Sequence, residues 1–271
     1  MHSSSILFKK SVIRYTVGGM GSQLLLCFHG YGETGQSFHF LENYIGHQYK
    51  IITIDLPYHG NTKWEEGMHF EIDDLIQIIE TLFQKENING QNFTLVGYSM
   101  GGRIALSLLQ YLSSRIGRLI LIAPDGLKIN FWYWLSTQTR IGNTLFAATI
   151  HNPRIFLILL HWVNRIGFVN QSIYKFVNHF LHDKMKRKQL YLRWTCFRKY
   201  KPDLKKIKKI IAERSIPIHL LYGIHDRIIT PARGEDFRKH IESHCTIELV
   251  NSGHQLLQEN NAAAIVQYLT V

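Results

Sequence analysis

The sequence predicts an α/β fold: a mostly parallel central sheet with helices on both faces, interrupted by one inserted helical segment. Three observations predict it. Short, continuously apolar runs alternate with stretches of helical spacing, the rhythm of strand–helix–strand units. One such run, beginning at Phe93, turns through Gly97-Tyr98-Ser99-Met100-Gly101 straight into helical sequence ending near Leu109. The rhythm then stops after Asp125 and resumes at Pro217.

In chain order, Ser11–Val17 alternates like a strand and runs into Gly18-Gly19-Met20-Gly21, read as a hairpin turn before the buried strand Gln23–Phe28. That strand ends in His29-Gly30-Tyr31-Gly32, with a helix expected around Ser37–Tyr44. Lys50–Asp55 is the next strand, closing in the structural turn Leu56-Pro57-Tyr58-His59-Gly60. Apolar residues at 72, 75, 76, 79, 82 and 83 give Ile72–Phe83 a helical face. After the Ser99 turn and its helix comes Arg118–Ala123, a buried strand stopped by Pro124. Strands Pro217–Gly223 and Cys245–Val250 follow the insertion, with helices near Arg233–Ile241 and Leu256–Leu269. The boundaries are therefore 1–124 plus 215–271 for the sheet domain and 125–214 for the insertion.

Composition narrows the class. A chain of 271 residues with 45% hydrophobic and 19% charged residues can bury a substantial core and is not disordered. Lysines follow the first apolar patch, the wrong order for a signal peptide, and the apolar run from Ile155 is too short to span a bilayer. Three scattered cysteines fit neither a disulfide framework nor a zinc site, so a cytoplasmic protein with no metal and no cofactor is expected. Residues 184–214 hold thirteen Lys/Arg against two acids, which matches the net charge of +11 and leaves the rest of the chain balanced. No nucleic-acid-binding motif accompanies that run. A solvated face explains it for Leu204, Ile207, Ile210 and Ile211, which fall on one helix side. Peripheral contact with a membrane surface, or with an anionic substrate, is the functional alternative.

The chemistry centres on Ser99. A turn this tight brings the helix start against the strand end, so a Cβ at 97 or 101 would collide. Ser99 at its apex requires strained backbone angles that lift its hydroxyl from the sheet edge. A serine attacks only when a base takes its proton and a third group orients that base. Loops after the late strands supply both: Asp226 in Gly223-Ile224-His225-Asp226, and His254 in Asn251-Ser252-Gly253-His254. His225, next to the acid, is read as structural. Asp125, also at a strand end, is the second candidate acid, or else a cap on the insertion's first turn. The backbone N–H groups of Met100 and Tyr31 are candidate oxyanion donors.

His29-Gly30-x-Gly32, Asp55-Leu56-Pro57-x-His59-Gly60, Gly97-x-Ser99-x-Gly101-Gly102, Gly223-x-x-Asp226 and Gly253-His254 together resemble the α/β-hydrolase superfamily, in its serine-nucleophile branch. The resemblance covers the chain from about residue 11 to the end, apart from the insertion. It implies an α/β-hydrolase fold with a helical lid, Ser99 as nucleophile, His254 as base and Asp226 as its orienter. Tyr31 and Met100 then form the oxyanion hole, and the expected activity is hydrolysis of a small-molecule carboxylic ester through an acyl-enzyme. Gly97-Tyr98-Ser99-Met100-Gly101-Gly102-Arg103 is also similar to the turn of the menaquinone-pathway SHCHC synthase, a pyruvate-eliminating lyase, where the matching tyrosine and arginine serve an anionic substrate. A non-catalytic ligand receptor on the same fold is the third possibility. His29, Tyr98, Arg103, Trp132 and Trp134 are candidate substrate-binding residues. The aromatic set Phe131, Trp132, Tyr133, Trp134, Trp162 and Trp194 either fills the insertion's own core or roofs an apolar pocket above Ser99.

Overall fold

The computed structural model describes the chain except residues 91, 169–170, 172–173, 176–177, 179–182 and 271. Its strands are β1 His2–Phe8, β2 Ser11–Gly18, β3 Gln23–Phe28, β4 Tyr49–Ile54, β5 Phe93–Tyr98, β6 Ile116–Ile122, β7 Ile218–Gly223 and β8 Cys245–Val250. They form one eight-stranded sheet in the order β1-β2-β4-β3-β5-β6-β7-β8. β2 runs antiparallel to β1 and β4, and every pair from β4 to β8 is parallel. The helices are α1 Leu41–Ile45, α2 Ile72–Lys85, α3 Met100–Leu112, α4 Phe131–Gln138, α5 Arg140–Ala148, α6 Arg154–Arg165, α7 Lys184–Cys196, α8 Leu204–Arg214, α9 Pro231–Arg238 and α10 Ala262–Val266.

The apolar strand runs are explained by burial on both faces. Leu25, Cys27, Val96, Ile120 and Ile122 pack with Phe38, Leu41 and Ile45 and with Ile265 and Leu269. Successive side chains alternate across a sheet, and the intervening Leu24, Leu26, Leu95, Leu119 and Leu121 are equally buried. They lie on the side of α3, which packs against β3, β5 and β6.

The chain divides into two compact units. The sheet unit comprises Met1–Glu66, Phe70–Lys128 and Tyr200–Val271, and the helical unit Gly67–His69 and Ile129–Lys199. Compared with the sequence-based 125–214, residues 200–214 fall in the sheet unit. Ile207 and Ile211 of α8 are buried, and α8 packs against α3. The helical unit has its own aromatic core: Phe146 packs on Tyr191 and Trp194, and Trp194 on Tyr133, at ring separations of 5.3–5.7 Å. Asn143 ties its helices by donating to Ser136 O and Thr195 Oγ1, each at 3.0 Å. Phe131, Trp134 and Trp162, in contrast, are exposed, so this core does not absorb the whole aromatic set. The sequence of the insertion also reads as helical from Ile173 to Leu181, a stretch that lies largely outside the described residues.

Three local expectations are corrected. Gly18–Gly21 is not a hairpin, because β4 lies between β2 and β3. The glycines instead let the chain pass the backbone ahead of β4: Met20 N donates to Gly46 O at 2.7 Å, and a Cβ on Gly21 would sit 1.8 Å from Gln48 C. The hairpin lies earlier, where His2–Phe8 pairs with Ser11–Gly18 around Lys9-Lys10; three successive serines hide that edge strand. The last helix shrinks to Ala262–Val266, because Asn261 turns its side chain back to Leu256 O at 3.0 Å.

Candidate active site

β5, β7 and β8 deliver the candidate residues to neighbouring loops at the carboxyl end of the parallel sheet, where crevices form in such folds. Ser99 sits between β5 and α3 at φ 49° and ψ −114°, a region sparsely populated by side-chain-bearing residues. Its backbone is held on both sides: Ser99 N donates to Ile122 O, and Asp125 N and Gly102 N donate to Ser99 O, each at 2.9 Å. A Cβ on Gly97 would lie 2.6 Å from Gly101 O, and one on Gly101 2.0 Å from Phe28 O. Only glycine permits that approach.

Ser99 Oγ lies 3.1 Å from His254 Nε2, and His254 Nδ1 lies 2.7 Å from Asp226 Oδ2. The Asp226 side chain is fully buried, and its Oδ1 accepts from Ile228 N at 2.8 Å and Ile229 N at 2.9 Å. Burial alone opposes its ionisation. The His254 hydrogen bond and the two backbone donors outweigh burial and hold the Asp226 pKa below the ordinary carboxylate value. An ionised carboxylate only accepts, so His254 Nδ1 carries the proton and Nε2 is left to accept from the Ser99 hydroxyl.

The two loops that meet here are tied together. Ile224 N donates to Val250 O and His225 N to Ser252 O, each at 3.0 Å, and the His225 ring meets Asn251 Oδ1 at 3.1 Å. His225 thus bridges the acid loop to the histidine loop. Tyr98 is buried beneath them: its hydroxyl donates to His254 O at 2.9 Å and its ring lies 5.8 Å from the imidazole. Burial, with the negative charges of Glu33 and Asp226 nearby, pushes the Tyr98 pKa up, so the hydroxyl keeps its proton as a donor.

Asp125 is placed elsewhere. It pairs with Arg103 and accepts from Gly126 N, and Asn130 rather than Asp125 caps α4. His29 is buried, with Nδ1 donating to Gly30 O at 2.8 Å and Nε2 accepting from Leu56 N at 3.1 Å. Its ring clamps two loops and presents no face to solvent. Asp55 reinforces the clamp by accepting from Gly35 N and Asn61 N. The Tyr31 loop abuts the Ser99 turn, since a Cβ on the preceding Gly30 would lie 3.4 Å from Ser99 Cβ. Met100 opens α3, where backbone N–H groups have no intrahelical acceptor and the helix dipole favours negative charge. Trp132 and Trp134 lie in α4 of the helical unit, Trp134 exposed and Trp132 half-buried.

One residue of this neighbourhood was missed from sequence. Glu33 follows the His29–Gly32 loop, and its Oε2 is buried without a hydrogen-bond partner among the described residues. Burial pushes its pKa up, against a Ser37 hydrogen bond, a Gly30 hydrogen bond and the charge of His254. A carboxylate beside a glycine-rich loop was the available signal.

Comparison with known proteins agrees with this architecture. The family model for the alpha/beta hydrolase fold matches residues 23–260. An uncharacterized hydrolase of Bacillus subtilis, YugF, is 24% identical over 91% of this chain and 92% of its own length. The human monoacylglycerol lipase ABHD6 is 23% identical over 90% of this chain and 74% of its own. A probable hydrolytic enzyme of Pseudomonas aeruginosa superposes with a TM-score of 0.70 at 14% identity, covering 100% of this chain and 94% of that one. The chain is a member of the α/β-hydrolase family, with esterase- and lipase-like relatives.

Proposed function

We propose that this protein hydrolyses carboxylic esters through a Ser99 acyl-enzyme. The observation that carries the reading is the continuous relay from Ser99 Oγ to His254 to Asp226, at 3.1 and 2.7 Å, with a strained serine at one end and a buried, ionised carboxylate at the other. Ser99 gives its proton to His254 Nε2 as Oγ attacks the ester carbonyl carbon. Asp226 keeps the imidazole in the accepting tautomer and stabilises the imidazolium. The N–H groups of Tyr31 and Met100 take the oxyanion of the tetrahedral intermediate. Collapse breaks the C–O bond, and the leaving alkoxide takes the proton from His254. Water then attacks the acyl-enzyme with His254 again as base, which releases the acid and restores Ser99.

The helical unit enters between β6 and β7, after the strand that supports Ser99 and before the strand that leads to Asp226. That place in the chain supports its assignment as the lid. The synthase reading depends on Arg103 meeting an anionic substrate; its engagement with Asp125 favours the ester hydrolase instead. A fluorophosphonate probe tests the function. Stoichiometric labelling of the native protein and none of Ser99→Ala is expected, because an unactivated serine does not react. An unlabelled native protein would overturn the reading and leave a ligand receptor.

A further inference from the structure

We infer that the helical unit is a docking surface for an anionic lipid bilayer. Residues 129–199 contain eleven Lys/Arg and a single acid, Asp183, a formal excess of ten positive charges within the segment. The carboxylate of Asp183 is already engaged in capping α7, accepting from Lys186 N at 2.8 Å. The cationic excess of the molecule therefore coincides with one unit: outside it, twenty basic residues stand against nineteen acidic ones.

The same unit turns apolar side chains outward in an ordered way. On α6, Ile158 and Trp162 are each 59% exposed, Ile166 follows at 63% and Phe168 at 75%. The first three are spaced i, i+4, i+8 and so form a single stripe, while Leu160 on the opposite side is buried. Arg154 and Arg165 bound that stripe and are exposed. Ile141 and Leu145 of α5 repeat the i, i+4 pattern, and Lys184 and Lys188 add exposed cations at the start of α7.

Apolar residues in a helical stripe flanked by basic residues match an interface whose outer layer is anionic and whose inner layer is hydrocarbon. Tryptophan suits the boundary between them. Nucleic acid accounts for the charge but gives exposed isoleucine and leucine nothing to bury against. The inference concerns where the protein sits and does not depend on the ester-hydrolase reading, since partition onto vesicles requires no turnover.

The test uses the whole protein and sucrose-loaded vesicles of phosphatidylcholine alone or with about a third phosphatidylglycerol. Co-sedimentation with the anionic vesicles should be at least tenfold stronger than with the neutral ones, and should weaken as salt rises. Trp162→Ser with Phe168→Ser should lower partition by about tenfold or more while leaving the thermal melt unchanged. Lys184→Gln with Lys188→Gln alters charge without touching apolar packing, and should cost about fivefold per cation on anionic vesicles only. Absence of binding, or equal and salt-insensitive binding to both vesicles, overturns the inference. So does a concentration-dependent dimer that the Trp162/Phe168 variant abolishes, or tighter binding to a random DNA duplex than to the vesicles.

Discussion

The sheet unit and the helical unit use a similar apolar vocabulary in opposite ways. In the sheet, Leu24 through Phe28 are all buried, and the buried polar residues include His29 and Asp226 of the candidate site loops. In the helical unit, Ile141 and Leu145 of α5 and Ile158 and Trp162 of α6 are exposed at i, i+4 spacing. Among the described residues, ten of the seventeen exposed large apolar side chains belong to it, although it is the smaller unit. Burial thus reports on folding in one unit, and exposure reports on a surface in the other. The sheet unit holds Ser99 at its positive φ, whereas net positive charge concentrates in residues 129–199.

The largest effect expected from this contrast is at Ser99. Ser99→Ala should lower kcat for a p-nitrophenyl ester by roughly a million-fold and leave the melting temperature nearly unchanged. The φ of 49° is a cost that alanine shares and that the backbone bonds to Ile122, Gly102 and Asp125 sustain. Retained turnover would dismiss Ser99 as nucleophile, whatever the helical unit does.

Asp226→Asn comes next, with a loss of about a hundred- to ten-thousand-fold in kcat/KM; Asp125→Asn, which breaks only the Arg103 pair, should cost far less. The sign of the pH effect follows from the lowered pKa. Asp226 stabilises the fold above its unfolded-state pKa, and that contribution is lost as pH falls through the lower folded-state value. Urea titrations should therefore show the asparagine variant destabilised at neutral pH, with the gap closing in strong acid. The reverse ranking of the two aspartates would move the orienting carboxylate to the strand before the insertion.

Ser99 and Asp226 were picked out in the sequence because each follows a short, mostly apolar strand, Phe93–Tyr98 and Ile218–Gly223. Gly97 and Gly101 were legible for a steric reason: an added Cβ would meet the facing backbone oxygen at 2.6 and 2.0 Å respectively. Pairing order was not legible: nothing in Gly18–Gly21 distinguishes a hairpin from a crossing, since both need glycine. Domain limits failed by composition, because α8 is as basic as α7 but buries Ile207 and Ile211 in the sheet unit. Aromatic content alone likewise did not separate Tyr133 and Trp194, which build a core, from Phe131 and Trp134, which are exposed.

If the helical unit acts as the lid, acyl preference should follow its aromatics. The specificity constant should rise from acetate to octanoate esters, and Trp132→Ala or Trp134→Ala should flatten the rise by about tenfold, from an apolar contact worth about 25 cal/mol per Å². Acetate turnover should hold. Equal cleavage of acetate and octanoate esters by the native protein would confine specificity to the sheet unit.

The smallest effect sharpens the comparison from inside the sheet unit. Glu33 has a buried Oε2 with no hydrogen-bond partner among the described residues, and burial raises its pKa despite the Ser37 and Gly30 hydrogen bonds. A folded-state pKa above the unfolded one favours the protonated form in the fold, so stability is highest below the unfolded value and falls as pH rises through the folded one. Glu33→Gln keeps the shape and removes the charge. It should therefore stabilise the protein by about 1 kcal/mol at pH 8, about 2–4 °C in Tm for a chain of this size. Near pH 3, where the carboxyl is protonated in both states, the variant and the native protein should melt together. Stabilisation of equal size at both pH values would mean that the introduced amide gains new contacts, and destabilisation at pH 8 would mean that the carboxylate has a partner in solution. The same variant should raise turnover of esters with an anionic acyl group relative to neutral ones, because the negative charge removed lies within electrostatic reach of His254. An unchanged ratio would place the carboxyl outside the path of the substrate and leave Glu33 a matter of stability alone.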